Sequence, residues 1–260
     1  MTATHQTLQE RLGKYCRNGS ASSAKLSPDR QWVEVDCELD VIKIINLDES
    51  KVWDVSSSQL IYPYSDHFVH VVHWSNDDIY VYVTLNPHTD GYWEPFHQGI
   101  VLYRLTLQTG QFSEVLPLAK SDWVYYAFSF SPNDRRLAYI VTDKSPTILN
   151  VRDMQTGVEQ SYQFGSTYNS GGGFLWSPDS QELIFSITNY ETSIQEYVAT
   201  SIVLWNREKS NVVTLVKDGP EVLVPVDWIN ETKVLLQVLN EDDRKFELDV
   251  ESNELNQIGP

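Results

Sequence analysis

Residues 124–164, VYYAFSFSPNDRRLAYIVTDKSPTILNVRDMQTGVEQSYQF, decide the fold. An apolar run, Val124–Phe130, is cut by Ser131-Pro132-Asn133. Arg136–Thr142 and Thr147–Asp153 follow, the latter ending on Gln155-Thr156-Gly157, and then comes the more polar Val158–Phe164. Short runs rich in branched and aromatic side chains, punctuated by turn residues, read as strands. Proline presets φ for the first corner of a tight turn, and Asp or Asn bonds the backbone of the next. The stretch is therefore a four-stranded meander, with strands a, b, c and d.

The same phrasing recurs along the chain. An apolar residue followed by Ser-Pro-Asp or a relative stands at Leu26-Ser27-Pro28-Asp29, Trp74-Ser75-Asn76-Asp77, Phe130-Ser131-Pro132-Asn133 and Trp176-Ser177-Pro178-Asp179. Trp228-Ile229-Asn230-Glu231 is the fifth copy, and the spacings run from 46 to 56 residues. A strand-and-turn phrase follows each copy: Ile42–Leu47 with Asp48-Glu49-Ser50, Ile100–Leu107 with Gln108-Thr109-Gly110, Ile202–Asn206 with Glu208-Lys209-Ser210, and Phe246–Val250 with Glu251-Ser252-Asn253. Five regular units of four strands predict an all-β chain: a five-bladed β-propeller of four-stranded antiparallel blades. The a strands, such as Val222–Val226, are apolar throughout, as inner strands covered on both faces are. Ala127, Ser129 and Gly171–Gly173 are small, as crowded strands near an axis require.

The expected domain covers 21–260, with blades at about 21–60, 67–118, 122–165, 170–218 and 221–258. Residues 1–20 read as a tail with a short helix over 5–13, in which Thr7 and Glu10 form a capping box and Gly13 is the stop. Leu8 and Leu12 would share one side. Residues 14–24 read as a polar linker.

The Ser-Pro-Asp turn, the following apolar strand and the Asp/Gln-x-x-Gly turn resemble the TolB-type, WD-repeat-like propeller repeats. The same repeat style marks the propeller domains of prolyl-oligopeptidase-like peptidases. The resemblance covers residues 20–258. It implies the propeller fold and leaves function open, because this fold hosts many activities.

Composition narrows the classes. The formal charge is −17, which repels phosphate backbones and argues against nucleic-acid binding. The sequence holds 14 Tyr, 9 Phe and 8 Trp against 2 Met, a balance that favours pleated strands. It contains no run of about 18 apolar residues, hence no integral membrane segment. Met1–Arg11 carries no secretory apolar core. An extracytoplasmic chain whose leader is absent is favoured over a cytoplasmic one. A monomer is expected. Cys16 and Cys37 do not make a metal pattern. They are either a disulfide, contributing about 3 kcal/mol by closing their loop, or two unrelated thiols.

Counted from first turn to second, the units span 23, 35, 26, 33 and 24 residues. Blades two and four therefore carry insertions, both between strands b and c. In a propeller the b–c and d–a connections share a face, and loops on a rigid scaffold commonly carry function. The blade-two insertion holds His88, Asp90, Tyr92, Trp93, Glu94 and His97. The blade-four insertion holds Tyr190, Glu191, Glu196 and Tyr197. The d–a connections add Tyr62, Tyr64, Asp66, His67, Asp122, Trp123, Tyr125, Tyr168 and Asn169. The candidate binding residues are Tyr64, His67, Tyr92, Trp93, Glu94, His97, Trp123, Tyr125, Tyr168, Tyr190 and Tyr197. Polar-tipped aromatics are favoured at contact surfaces, although the same rings could simply pack the loops.

Other chemistries are weaker. His88, Asp90, Glu94 and His97 are suitable ligand types, but loop spacing fixes no geometry, and no metal is expected. Asp66, Asp122 and Glu196 are candidates for a glycoside-cleaving pair, which needs two carboxyls roughly 5–10 Å apart. No Gly-x-Ser-x-Gly elbow, phosphate loop or dinucleotide glycine motif is present, so no cofactor is expected. The leading expectation is a non-enzymatic propeller that binds a protein, peptide or glycan through the face bearing the two insertions. The alternatives are a five-bladed carbohydrate-active hydrolase and a propeller fragment of a larger multidomain protein.

Overall fold

The computed structural model describes residues 8–37, 41–60, 67–87, 96–117, 125–142, 145–191, 193–194, 196–219 and 221–259. They form five four-stranded antiparallel sheets, and in each the strands neighbour one another in chain order. These are the five meander blades that the repeat predicts. The chain divides into two compact units. Met1–Tyr92 with Gly99–Ala119 make the first, and Lys120–Pro260 with Trp93–Gln98 make the second. No described helix is long and apolar enough to cross a membrane.

The first unit holds blades one and two. Blade one is β1 (Ser23–Leu26), β2 (Trp32–Asp36), β3 (Val41–Asn46) and β4 (Val52–Ser56). Blade two is β5 (His67–Trp74), β6 (Tyr80–Pro87), β7 (Leu102–Thr106) and β8 (Gln111–Leu116). The Trp53 indole donates to the Leu107 carbonyl at 2.9 Å. Its ring lies against Gly110, where φ is +71 and an added β-carbon would sit 2.6 Å from the ring. Backbone sign and space both demand glycine at that turn.

The N-terminal segment departs from expectation. Residues 8–12 are helical, but Gly13 does not stop the chain; it opens a 3-10 turn over Gly13–Tyr15. Thr7 lies outside the described residues, so the capping box does too. Leu8 and Leu12 do face one side, packing with Val33, Val35 and Ile45 of blade one. The expected polar linker over 14–24 is instead fastened down. Tyr15 donates to Glu49 at 2.7 Å, and Lys14 and Arg11 pair with the same carboxylate. A disulfide joins Cys16 to Cys37 with Cα atoms 5.1 Å apart. Cys16, Ala21 and Ala24 are buried, and strand β1 begins at Ser23. Small apolar residues spread among polar ones hid this packing from a composition reading.

The second unit holds three blades. Blade three is β9 (Tyr126–Phe130), β10 (Arg136–Val141), β11 (Ile148–Asp153) and β12 (Glu159–Gln163). Blade four is β13 (Ser170–Trp176), β14 (Glu182–Glu191), β15 (Glu196–Asn206) and β16 (Asn211–Gly219). Blade five is β17 (Leu223–Trp228), β18 (Lys233–Val238), β19 (Glu241–Asp249) and β20 (Leu255–Ile258). Period-two alternation gives blade four two apolar faces. Leu183, Phe185, Ile187, Val203 and Trp205 pack with Ala138, Ile140, Leu149 and Val151 of blade three. Ile184 and Ile202 pack with Leu223, Val234, Leu236 and Leu248 of blade five. Each Val, Leu, Ile or Phe side chain among them contributes about 1.5–3 kcal/mol on burial. Gly171 is small for a steric reason: a β-carbon there would lie 2.8 Å from Ile140 and 2.9 Å from the Ser186 carbonyl.

The a–b turns share one wiring in four blades. The serine hydroxyl accepts the N–H five residues on, from Trp32, Tyr80, Arg136 and Glu182, at 2.8 to 3.0 Å. The serine N–H donates to the carbonyl of the same residue at 2.9 to 3.0 Å. Asp29, Asp77, Asn133 and Asp179 accept the N–H two residues beyond them. Arg30, Asp78, Asp134 and Ser180 take the left-handed corner, with φ from 54 to 63. All four serines are buried. The fifth turn is one residue shorter, and Asn230 Oδ1 accepts the N–H groups of Thr232 and Lys233 at 2.9 Å.

Ser131→Ala removes the acceptor of a buried Arg136 N–H and should cost about 1–3 kcal/mol. The urea midpoint should fall without a change in slope. In the c–d turn of blade three, hydrogen bonds from Thr156 N–H, Thr156 Oγ1 and Gln155 N–H hold the Asp153 carboxyl below its ordinary value of 3.8. The ionised form therefore stabilises the fold above pH 3.8, and that contribution is lost as pH falls through the folded value. Asp153→Asn should melt lower than the parent at neutral pH, with the gap closing below pH 3.8 in thermal melts.

Candidate functional site

The blade-four insertion is not a loop. It continues the ladder of β14 and β15, pairing Asn189 with Val198, Tyr190 with Tyr197 and Glu191 with Glu196. The two strands reach 10 and 11 residues, against 6 and 6 for β10 and β11. A register shift between Ile187 and Asn189 marks where the extension departs from the blade. Such an irregularity bends a strand and re-aims what lies beyond it. Aromatic and branched residues at Tyr190, Tyr197 and Val198 suit a pleated surface better than a coil. The Ile194 N–H closes the tip on the Glu191 carbonyl at 3.2 Å.

Asn169, from the d–a connection, clamps this hairpin. Its Nδ2 donates to the Tyr190 carbonyl at 3.0 Å, and its Oδ1 accepts the Tyr190 N–H at 2.7 Å. The carboxamide thereby stands in for a strand partner. The Asn169 N–H also donates to the Thr188 carbonyl at 3.2 Å.

The end of the blade-two insertion, which belongs to the second unit, backs the other side. Phe96 is fully buried, with its ring 4.8 Å from that of Tyr197. His97 Nδ1 lies 3.0 Å from the Tyr197 hydroxyl, and its ring meets Tyr125 edge-on at 5.1 Å. Tyr190 and Tyr197 rings are 5.0 Å apart. Gln98 runs beside β9: its N–H donates to the Tyr126 carbonyl at 2.9 Å, and its Oε1 accepts the Phe128 N–H at 2.8 Å.

The structure thus brings together His97, Tyr125, Tyr190 and Tyr197 from among the predicted binding residues. His97 and Tyr125 are 4% and 5% exposed, and they support the hairpin more than they present a surface. Tyr190 and Tyr197 are half-buried, while Glu191, Ser193, Ile194 and Glu196 are exposed. Tyr168 stands apart, in the core shared by blades three and four, with its hydroxyl 2.9 Å from Ser201 Oγ. Tyr64, Tyr92, Trp93, Glu94 and Trp123 lie outside the described residues, as do Tyr62, Asp66, His88, Asp90 and Asp122. His67 opens β5, and its side chain lies outside the described set. Among the described residues, no three His, Cys, Asp or Glu side chains gather as metal ligands would. Glu196 sits opposite Glu191 near the hairpin tip.

Residue reading missed Phe96, Gln98 and Ile194. Ile194 carried a usable signal: a lone large apolar residue in the polar run Thr192–Glu196. In the structure it is 54% exposed.

No family model and no curated protein matches the sequence. Solved structures do. A prolyl endopeptidase is similar with a TM-score of 0.58 and 13% identity, over 98% of this chain and 41% of that one. Oligogalacturonate lyase from Vibrio parahaemolyticus is similar with a TM-score of 0.54 and 11% identity, over 92% of this chain and 65% of that one. A putative TolB from Agrobacterium tumefaciens is similar with a TM-score of 0.48 and 15% identity, over 90% of this chain and 78% of that one. The chain has the β-propeller fold. At these identities the likeness is one of architecture. This β-propeller chain spans less than two thirds of the endopeptidase and of the lyase. The expected resemblance to propeller domains of prolyl-oligopeptidase-like peptidases is met by the first of these structures.

Asn169→Ala should free both backbone groups of Tyr190 and loosen the hairpin. Losing two hydrogen bonds of about 1 kcal/mol each should speed amide exchange at Tyr190 by about tenfold or more. Exchange in β10 of blade three should stay unchanged, which hydrogen-exchange mass spectrometry with peptide resolution would check.

Proposed function

We propose that this chain is a non-enzymatic recognition propeller that binds a protein, peptide or glycan. The proposed contact surface centres on the tip of the blade-four hairpin, Glu191, Ile194 and Glu196, with Tyr190 and Tyr197 at its base. Trp93, Glu94 and Trp123 are proposed to extend it. One observation carries the reading: a more than half-exposed isoleucine stands on a hairpin pinned by Asn169, His97 and Phe96. Exposing a large aliphatic side chain contributes nothing to folding. Holding it on a rigid support lowers the ordering cost of binding. The Cys16–Cys37 disulfide supports an oxidising, extracytoplasmic setting.

The test pairs a glycan array with cross-linking capture from native extract, followed by affinity measurement on the partner found. Ile194→Ser should weaken that partner about tenfold or more, as loss of a buried interface anchor does. Val158→Ser, at an even more exposed valine in the c–d turn region of blade three, should leave it unchanged. Equal affinity of the Ile194 variant would remove the hairpin from the site. Cleavage of an array glycan, lost on changing Asp66, Asp122 or Glu196, would replace this reading with the carbohydrate-active one.

A further inference from the structure

One face of blade four changes character along its length. Toward the c–d turn it carries Ile184, and at mid-length Ile202 stands across from Ser186; both isoleucines pack in the apolar core with blade five. Toward the hairpin the same strands and β13 carry Ser170, Ser186, Thr188 and Thr200 instead. These four are as buried as the isoleucines, at 2% exposure or less. Buried hydroxyls need partners, because desolvating them is costly. Ser186 has a good one, donating to the Leu223 carbonyl at 2.6 Å. The others do not fit as closely. Thr188 Oγ1 reaches the Val198 carbonyl at 3.3 Å, and Thr200 Oγ1 reaches Thr188 Oγ1 at 3.5 Å. Ser170 Oγ, directly across the ladder from Thr188, is buried without a protein partner.

Valine would fill a threonine site with no unmet polar atom, so hydroxyls at three adjacent positions call for a polar occupant. The register shifts between Ile187 and Asn189 and between Thr200 and Ile202 fall at the same place, where an unpaired residue opens the ladder. We propose that Ser170, Thr188 and Thr200 hold a buried water molecule at the root of the blade-four hairpin. The occupant must both donate and accept, since hydroxyls and the Val198 carbonyl line the place. It is neutral, because no charged side chain among the described residues takes part in these bonds, and an unpaired buried ion is strongly unfavourable. Water meets both conditions, and waters of this kind bridge otherwise unsatisfied polar groups. The water completes the joint at which the hairpin leaves the blade. This site stands whether or not the hairpin is the recognition element.

High-resolution diffraction on the full chain should show one isolated density within about 2.7–3.2 Å of Ser170 Oγ and at least one threonine hydroxyl. Ser170→Ala should empty it and speed amide exchange across Asn189–Val198 by about tenfold, leaving β10 unchanged. Thr200→Val, which keeps shape and removes one hydroxyl, should act in the same direction. Ser170 Oγ found bonded directly to a protein carbonyl, with no density beside it, would overturn the proposal. So would a melting temperature that rises specifically with potassium or sodium over choline and loses that rise in Ser170→Ala, which would assign a cation instead. Unchanged exchange in both variants would also overturn it.

Discussion

A blade of four short strands has two apolar faces and can bury neither by itself. Blade four shows the consequence. Leu183, Phe185 and Ile187 go to one neighbour, and Ile184 goes to the other, on alternate residues of one strand. A slip of one residue would exchange the two sets and leave both cores mismatched. Register therefore has to be specified within the blade as well as by its neighbours. The a–b turn does this. A buried serine bonds both backbone groups of the residue five positions on, so strands a and b can meet only one way. The hydroxyl is short, has a single heavy-atom torsion to fix, and is shielded from competing water by its burial.

That constraint explains why the strands of blade three were legible. The predicted Val124–Phe130, Arg136–Thr142, Thr147–Asp153 and Val158–Phe164 became Tyr126–Phe130, Arg136–Val141, Ile148–Asp153 and Glu159–Gln163. Their ends are set by proline, Asx residues and a glycine at φ 75, all local in sequence. The serine was visible in every one of the first four copies, yet its part was not. Proline and Asp have known turn preferences, whereas the serine acts through a bond to a residue outside the phrase. The fifth copy shows that the wiring matters more than the motif: Asn230 closes a shorter turn without serine or proline.

The site was legible as a count and not as a shape. Extra residues in blade four could be measured against the repeat, but their conformation depends on partners far along the chain. Tyr190 is held by Asn169, 21 residues away, and Tyr197 meets His97, 100 residues away. No local pattern encodes such pairings. The same distance effect sorted the aromatic candidates. Tyr168 and Tyr125 read as connection residues, yet both are buried, standing within two residues of the inner strands β13 and β9.

A two-stranded hairpin is marginal in water without further packing, so the blade-four extension depends on its anchors. The anchors in turn decide what the hairpin can offer. Paired residues share a face and successive pairs alternate. Tyr190 and Tyr197 point to the side occupied by Phe96 and His97, which puts Glu191 and Glu196 on the other. The two carboxylates stand directly opposite each other, an arrangement unfavourable for the ladder itself. The aromatic pair that looked most like a contact surface is thus largely committed to holding the hairpin. Among the described residues, the side chains that the hairpin leaves exposed are Ile194 and Ser193 at the tip and the two acids beside them, residues that contribute little to the stability of the fold.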